Sequence, residues 1–170
     1  MVATIKENNN SPFKTVDVDP ITLDLIENSL KNARHEMDAT LFRTAMSPGI
    51  REQGDAFPLI ADHNGAMLAG QFGSFIQGFL DGYDGDIEEG DVFWLSDPYT
   101  CDGAVSHAND WLVLMPIYRE KRLVGWGAMF GHMTDVGGMV PGSLPTSAIS
   151  IFQEGIRIPP IKLYRKGEKQ

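Results

Sequence analysis

Hydrophobic positions along this chain fall into two regimes. Ile26, Leu30, Ala33, Met37 and Leu41 recur at steps of three and four, which lays an apolar stripe along one side of an α-helix. Asp19 is placed to cap that helix, and Pro20 suits its first position, where the missing N–H would have had no partner. The stripe reaches toward Ala45, and Ser47-Pro48-Gly49 stops it. Beyond Gly49 the period shortens toward two. Ala56 to Ala61 and Ala66 to Ala69 read as strands joined through Asp62-His63-Asn64-Gly65, because Asn-Gly accepts the positive φ angles of a tight hairpin.

Residues 71–83 carry Phe72, Phe75, Ile76, Phe79 and Leu80 at helical spacing, against which Gly73 and Gly78 count; the spacing predicts a short helix. Glu88-Glu89-Gly90-Asp91 turns into a strand over Val92 to Leu95. Trp111 to Tyr118 and Leu123 to Phe130 form a hairpin about the charged turn Arg119-Glu120-Lys121-Arg122. Uniform pairing about that turn sets Asp110 beside Gly131 and Asn109 beside His132. Ser147 to Glu154 reads as a short helical stretch, and Ile158-Pro159-Pro160-Ile161 as extended chain. Residues 1–18 are polar and without a sustained period, which predicts a flexible leader. The fold class that follows is α+β: a long N-terminal amphipathic helix, then mainly antiparallel β-hairpins with short helices. No internal repeat is visible.

Composition narrows the function. In 170 residues, 42% are hydrophobic, enough for one core, and the formal charge of −9 disfavours nucleic acid or an anionic membrane as a partner. A single cysteine, Cys101, cannot form an internal disulfide, and no basic-then-apolar leader is present, so the expected setting is cytoplasmic. No window approaches the ~20 apolar residues of a membrane span. No Gly-x-x-x-x-Gly-Lys-Ser/Thr loop occurs, and no Gly-x-Gly-x-x-Gly follows a strand, so no nucleotide-binding residues are assigned.

The chemistry concentrates at the ends of the second hairpin. Ser106-His107-Ala108-Asn109-Asp110 precedes its first strand and Gly131-His132-Met133-Thr134-Asp135 follows its second, so His107, Asp110 and His132 converge at one open end. Two imidazoles and a carboxylate suit a divalent Mn, Zn or Fe ion and leave coordination positions for water or substrate. Asp135 and Asp97 are candidates to support those ligands from behind, although each stands in a turn-forming context, Asp135 before Val136-Gly137-Gly138 and Asp97 before Pro98. His35 in the helix and His63 in the Asn-Gly turn have ordinary surface roles. The methionines near the hairpin, Met115, Met129, Met133 and Met139, are packing residues.

Taken in order, Asp19-Pro20-Ile21-Thr22, Arg43-Thr44-Ala45-Met46-Ser47-Pro48, Ser96-Asp97-Pro98-Tyr99, His107-x-x-Asp110, Gly131-His132-x-x-Asp135-Val136-Gly137-Gly138, Pro141-Gly142-Ser143 and Phe152-Gln153-Glu154-Gly155-Ile156-Arg157-Ile158-Pro159-Pro160 resemble the N-terminal part of the hydantoinase B/oxoprolinase family. That family includes subunits of acetone and acetophenone carboxylases, hydantoinases, caprolactamase and oxoprolinases. The resemblance implies a subunit of an ATP-dependent carboxylase (a ligase) or cyclic-amide hydrolase. ATP is then bound by a hydantoinase A-type partner in a hetero-oligomer, and the substrate is a small carbonyl compound or cyclic amide, with bicarbonate on the carboxylase side. It places a metal on His107, Asp110 and His132, and it leaves Met133, where many members carry His or Trp, outside the ligand set. Family chains run to several hundred residues, so residues 19–170 are expected to be the N-terminal part of a hydantoinase B-type domain, a fragment or a split subunit. Two other classes remain: a noncatalytic assembly module of such a complex, and a stand-alone metallohydrolase.

Overall fold

The computed structural model describes residues 16–71 and 75–170; the expected leader lies outside the described residues over 1–15, as do Phe72 to Ser74 of the expected short helix. Helix α1 runs Pro20–Thr44, α2 Pro48–Gln53 and α3 Ile76–Gly82. Strands are β1 (Ala56–Asp62), β2 (Met67–Ala69), β3 (Val92–Leu95), β4 (Asp110–Arg119), β5 (Arg122–His132), β6 (Ile161–Arg165) and β7 (Glu168–Lys169). They form one antiparallel sheet in the order β2-β1-β5-β4-β3-β6-β7. The architecture is thus α+β, a mixed helix and antiparallel sheet.

Helix α1 starts as its sequence dictates: Asp19 Oδ1 accepts from the Ile21 and Thr22 N–H groups, both at 3.1 Å. Its stripe is covered less than the spacing implies. No residue of α1 is buried, Ile26 is exposed, and Met37 and Leu41 are half-buried against a shallow apolar groove that Pro58 and Met129 complete. Ser47-Pro48-Gly49 does end α1, and it also starts α2, with Pro48 at the first position.

The core lies on the opposite face of the sheet. Leu59, Phe93, Leu95, Leu112, Leu114 and Trp126 point there, beneath α3 and the loop that carries Cys101 and Val105. Phe79 of α3 is its hub, with ring centroids 4.9 Å from Phe93 and 6.0 Å from Trp126. The glycines that weaken the helical pattern are what permit this packing. A Cβ on Gly78 would stand 2.5 Å from the Cys101 carbonyl oxygen, and one on Gly82 2.5 Å from that of Thr100. Helix α3 therefore presses directly on the loop that leads to His107.

The helical stretch expected over Ser147 to Glu154 contracts to a 3₁₀ turn, Ile151–Gln153, and two further features depart from the sequence expectation. The first is β6–β7, a hairpin turned by Lys166 and Gly167 at positive φ, beyond the last element that the spacing predicts. Strand β6 pairs with β3, and the buried ion pair of Lys162 Nζ with Asp91 at 2.7 Å, Asp91 being fully buried, clamps the two. The second is the register of β4 on β5. Near the turn Tyr118 faces Leu123, but Ile117 faces Gly125, so Val124 is an extra residue on β5. From that bulge onward every pair is displaced by one, and Asp110 faces His132, not Gly131, while Trp111 faces Gly131.

Candidate metal centre

The bulge decides which side chains share a face. With uniform pairing Asp110 and His132 would project to opposite sides of the sheet, since adjacent residues alternate. As folded, they are directly opposed at the end of the hairpin, and His132 Nδ1 lies 3.2 Å from Asp110 Oδ1. His107 enters from the preceding loop in a single turn, its carbonyl accepting the Asp110 N–H at 3.2 Å. Its Nε2 reaches the same Asp110 oxygen at 3.1 Å, and its ring stands 5.5 Å from that of His132. One donor atom from each of the three residues falls within 4.8 Å of the others.

The backbone around this triad is tied from several elements. The His132 N–H donates to the Asp55 carbonyl at 3.0 Å, and Ser47 Oγ, at the start of α2, donates to the His132 carbonyl at 3.2 Å. Asn109, fully buried, donates through Nδ2 to the carbonyls of Met133 at 3.0 Å and Gly142 at 3.2 Å. The entry to β4 is thereby fastened to the loop that leaves β5. The Met133 N–H donates to the Asn109 carbonyl at 2.9 Å.

Electrostatics follow from the geometry. The contact with Asp110 raises the His107 pKa above its ordinary value; partial burial opposes the shift, and the charges of Asp110, Glu154 and Asp55 add to it. His107 Nε2 is near enough to Asp110 for charge attraction, yet its N–H direction misses the carboxylate. That buried nitrogen is left without a hydrogen-bond partner. Two ligands each about 2.1 Å from an ion lie about 3–3.5 Å apart, and the separations of 3.1 and 3.2 Å match. The residues present fit a divalent cation: two imidazoles, one carboxylate and an orphaned buried nitrogen.

The supporting roles expected of Asp135 and Asp97 are not what their side chains do. Asp135 Oδ1 accepts from Gly137 N–H at 2.9 Å and Ser143 Oγ at 2.7 Å, and Oδ2 from Gly142 N–H at 3.1 Å. Those bonds, from Ser143 first, hold its carboxyl below the usual carboxylate range, as expected for an acid that organises its own turn. Asp97 is buried and pairs with Arg157 at 3.1 Å while capping the Tyr99 N–H. It fastens the strand β3 exit to the 152–158 segment instead of backing a ligand. Cys101 is fully buried, donates to the Asp97 carbonyl at 2.9 Å, and burial pushes its thiol pKa up, so it is not a reactive thiol. His35 on α1 and His63 in the β1–β2 turn stand apart from the His107–Asp110–His132 group.

The triad stands between two open clefts. One, of about 380 Å³, exposes Asp110 among Phe75, Val105, Ser106 and Phe130. The other, of about 400 Å³, exposes His107 among Ser143, Leu144, Pro145, Thr146 and Glu154.

The family profile described as hydantoinase B/oxoprolinase matches residues 19–170. The chain belongs to that family. It is 37% identical over 162 residues to the caprolactamase beta subunit of Pseudomonas jessenii, covering 90% of this chain and 27% of that one. The crystal structure of the ATP-dependent caprolactamase from the same organism superposes with a TM-score of 0.76 at 33% identity, covering 90% of this chain and 28% of the other. A nucleotide-free acetone carboxylase structure shares the fold, with a TM-score of 0.77 at 21% identity over 89% of this chain and 21% of that chain. This hydantoinase B-type chain thus spans about a quarter of the length of the caprolactamase chains it matches.

Asn109, Ser47 and Glu154 escaped the reading of ligand types. Asn109 and Ser47 act through backbone contacts formed across the chain, and no local spacing signals them. Glu154 stands in the Phe152–Pro160 motif, where its local spacing gives no sign that it shares a cleft with His107.

Proposed function

We propose that this chain carries the divalent-metal centre of a hydantoinase B-type subunit serving an ATP-dependent cyclic-amide hydrolase or carboxylase. The observation that supports this most is the convergence of His107, Asp110 and His132 on one point, in a member of a family with ATP-dependent relatives. The 37% identity to a caprolactamase subunit favours the cyclic-amide side.

A bound divalent ion supplies Lewis acidity, polarising a carbonyl or bicarbonate oxygen and stabilising negative charge that develops there. The chain's own residues hold it. Asp110 supplies the negative charge, His107 Nε2 and His132 Nδ1 the neutral donors, and the face toward the two clefts is left for substrate. His107 must lose its proton to bind, and Asp110 both favours that proton and attracts the competing cation. ATP is assigned to a hydantoinase A-type partner, because this sequence has no phosphate-cradling loop.

Two measurements test the reading. Elemental analysis is expected to find about one Mn, Fe or Zn per chain and none in His107→Ala or His132→Ala; unchanged content in both variants overturns the ligand assignment. ATP turnover on a lactam or ketone, measured with an A-type subunit added, is expected to need this chain with all three ligands intact. Equal turnover with the His132→Ala chain would leave it an assembly module, and amide hydrolysis without ATP a stand-alone hydrolase.

A further inference from the structure

Glu154 has no part in the fold that would explain where its carboxylate sits. It closes the 3₁₀ turn Ile151–Gln153 in helical conformation (φ −83, ψ −23), and its placement is fixed by the backbone on either side. Met139 N–H donates to the Gln153 carbonyl at 2.7 Å and Ile156 N–H to the Val136 carbonyl at 2.9 Å, which lashes the segment to the loop leaving β5. The side-chain cap of that turn is made by Ser150 and Gln153. The neighbouring cation, Arg157, pairs through Nη2 with Asp97, and its buried Nε makes no hydrogen bond to Glu154. Glu154 Oε2 is nonetheless buried and has no hydrogen-bond partner. A carboxylate oxygen so placed is unfavourable unless something else occupies its lone pairs.

It lies on a cleft that it shares with one member of the candidate metal centre. Glu154 and His107 line the same cleft of about 400 Å³, and each holds a buried polar atom with no hydrogen-bond partner, Glu154 Oε2 and His107 Nε2, the latter 3.1 Å from Asp110 Oδ1. Glu154 stands outside the group whose donor atoms lie within 4.8 Å of one another, so it is too far to share the ion with them directly.

We propose that Glu154 is the outer carboxylate of the His107–Asp110–His132 centre, accepting a hydrogen bond from the protic ligand, water or a substrate N–H, that meets the ion from the cleft. This rests on the metal reading above. The placement makes Glu154 a positioning residue for metal binding. Such outer partners typically change metal affinity 10–100-fold.

Calorimetric titration of Mn²⁺ into the purified chain tests it, with thermal unfolding of the metal-free proteins beside it. The wild type is expected to take up one ion. Glu154→Gln is expected to keep that stoichiometry with affinity lower by about 10–100-fold, with its metal-free melting temperature not lowered, because no bond within the protein is lost. Glu154→Asp, which keeps the charge but withdraws it by one methylene, is expected to fall between, and it decides the matter should the Gln variant not fold. Wild-type affinity in both variants overturns the role of Glu154 and leaves the metal centre standing. A metal-free melting temperature that falls along with affinity makes Glu154 a fold residue and also overturns it. Absence of Mn²⁺ binding in the wild type overturns the metal reading and this inference together.

Discussion

Asp110 is the residue on which the candidate site turns, because one of its oxygens is approached by both imidazoles, at 3.1 and 3.2 Å. Without metal, that contact raises the His107 pKa. A group whose folded-state pKa is raised contributes stability that is fully present below its unfolded value, near 6.5 for histidine, and that fades as pH rises through the raised folded value. Asp110→Asn should therefore lower the melting temperature of the metal-free protein by a few degrees near pH 6 and by less near pH 9, read from thermal unfolding in a chelator. An equal loss at both values would mean that Asp110 supports the fold by something other than its charge on His107. Protons and metal compete for the same nitrogen, so metal affinity is expected to rise with pH through that raised pKa. That His107, Asp110 and His132 meet was legible from the sequence, because the hairpin pattern brings its two ends together. The turn-forming alternatives for Asp135 and Asp97 were legible too. What residue types cannot disclose is which carboxylates fold back on their own loops, as Asp135 does on Ser143, and which remain unpaired, as Glu154 Oε2 does.

At the scale of elements, the hairpin β4–β5 positions the site, and its register is held by burial more than by its turn. Leu112, Leu114, Trp126 and Ala128 all project to the core face, and β5 also pairs along its length with β1, from Gly125 opposite Asp62 to Gly131 opposite Ala56. A slip by one residue would drive each of these side chains through the sheet. The bulge at Val124 absorbs the mismatch near the turn, where Glu120 and Lys121 both adopt positive φ. One residue inserted between Glu120 and Lys121 should thus be taken up locally, lowering stability by about 1 kcal/mol or less for an exposed turn and leaving metal stoichiometry unchanged in elemental analysis. Loss of metal with the fold retained would show that the turn sets the register. The hairpin itself was legible from alternation and a charged turn; the bulge was not, since Val124 is as good a strand residue as its neighbours. The β6–β7 hairpin was missed for a related reason: its strands are short, largely exposed edge pieces whose pattern is polar, and only Lys166-Gly167 hinted at a turn.

Across the whole molecule, the sheet has one well-filled face and one that α1 covers only in part. The helix was visible in its three-and-four spacing, but how deeply it beds could not be read from that spacing, and Ile21, Leu25 and Ile26 remain exposed. The core is built under α3, and the candidate centre stands at the end of the sheet where α2, the 100–109 loop and the 134–154 segment meet. Nothing in the sequence has the form of a phosphate-binding loop, so ATP should not bind this chain appreciably; micromolar affinity in a calorimetric titration would contradict the division of labour with an A-type subunit. The central claim is that His107, Asp110 and His132 hold one divalent ion. Anomalous diffraction at the manganese edge, from crystals of the chain grown with Mn²⁺, tests it most directly. The account predicts a single strong peak bonded to His107 Nε2, an Asp110 oxygen and His132 Nδ1; a map with no peak there, or with manganese held only by surface carboxylates elsewhere, would contradict it.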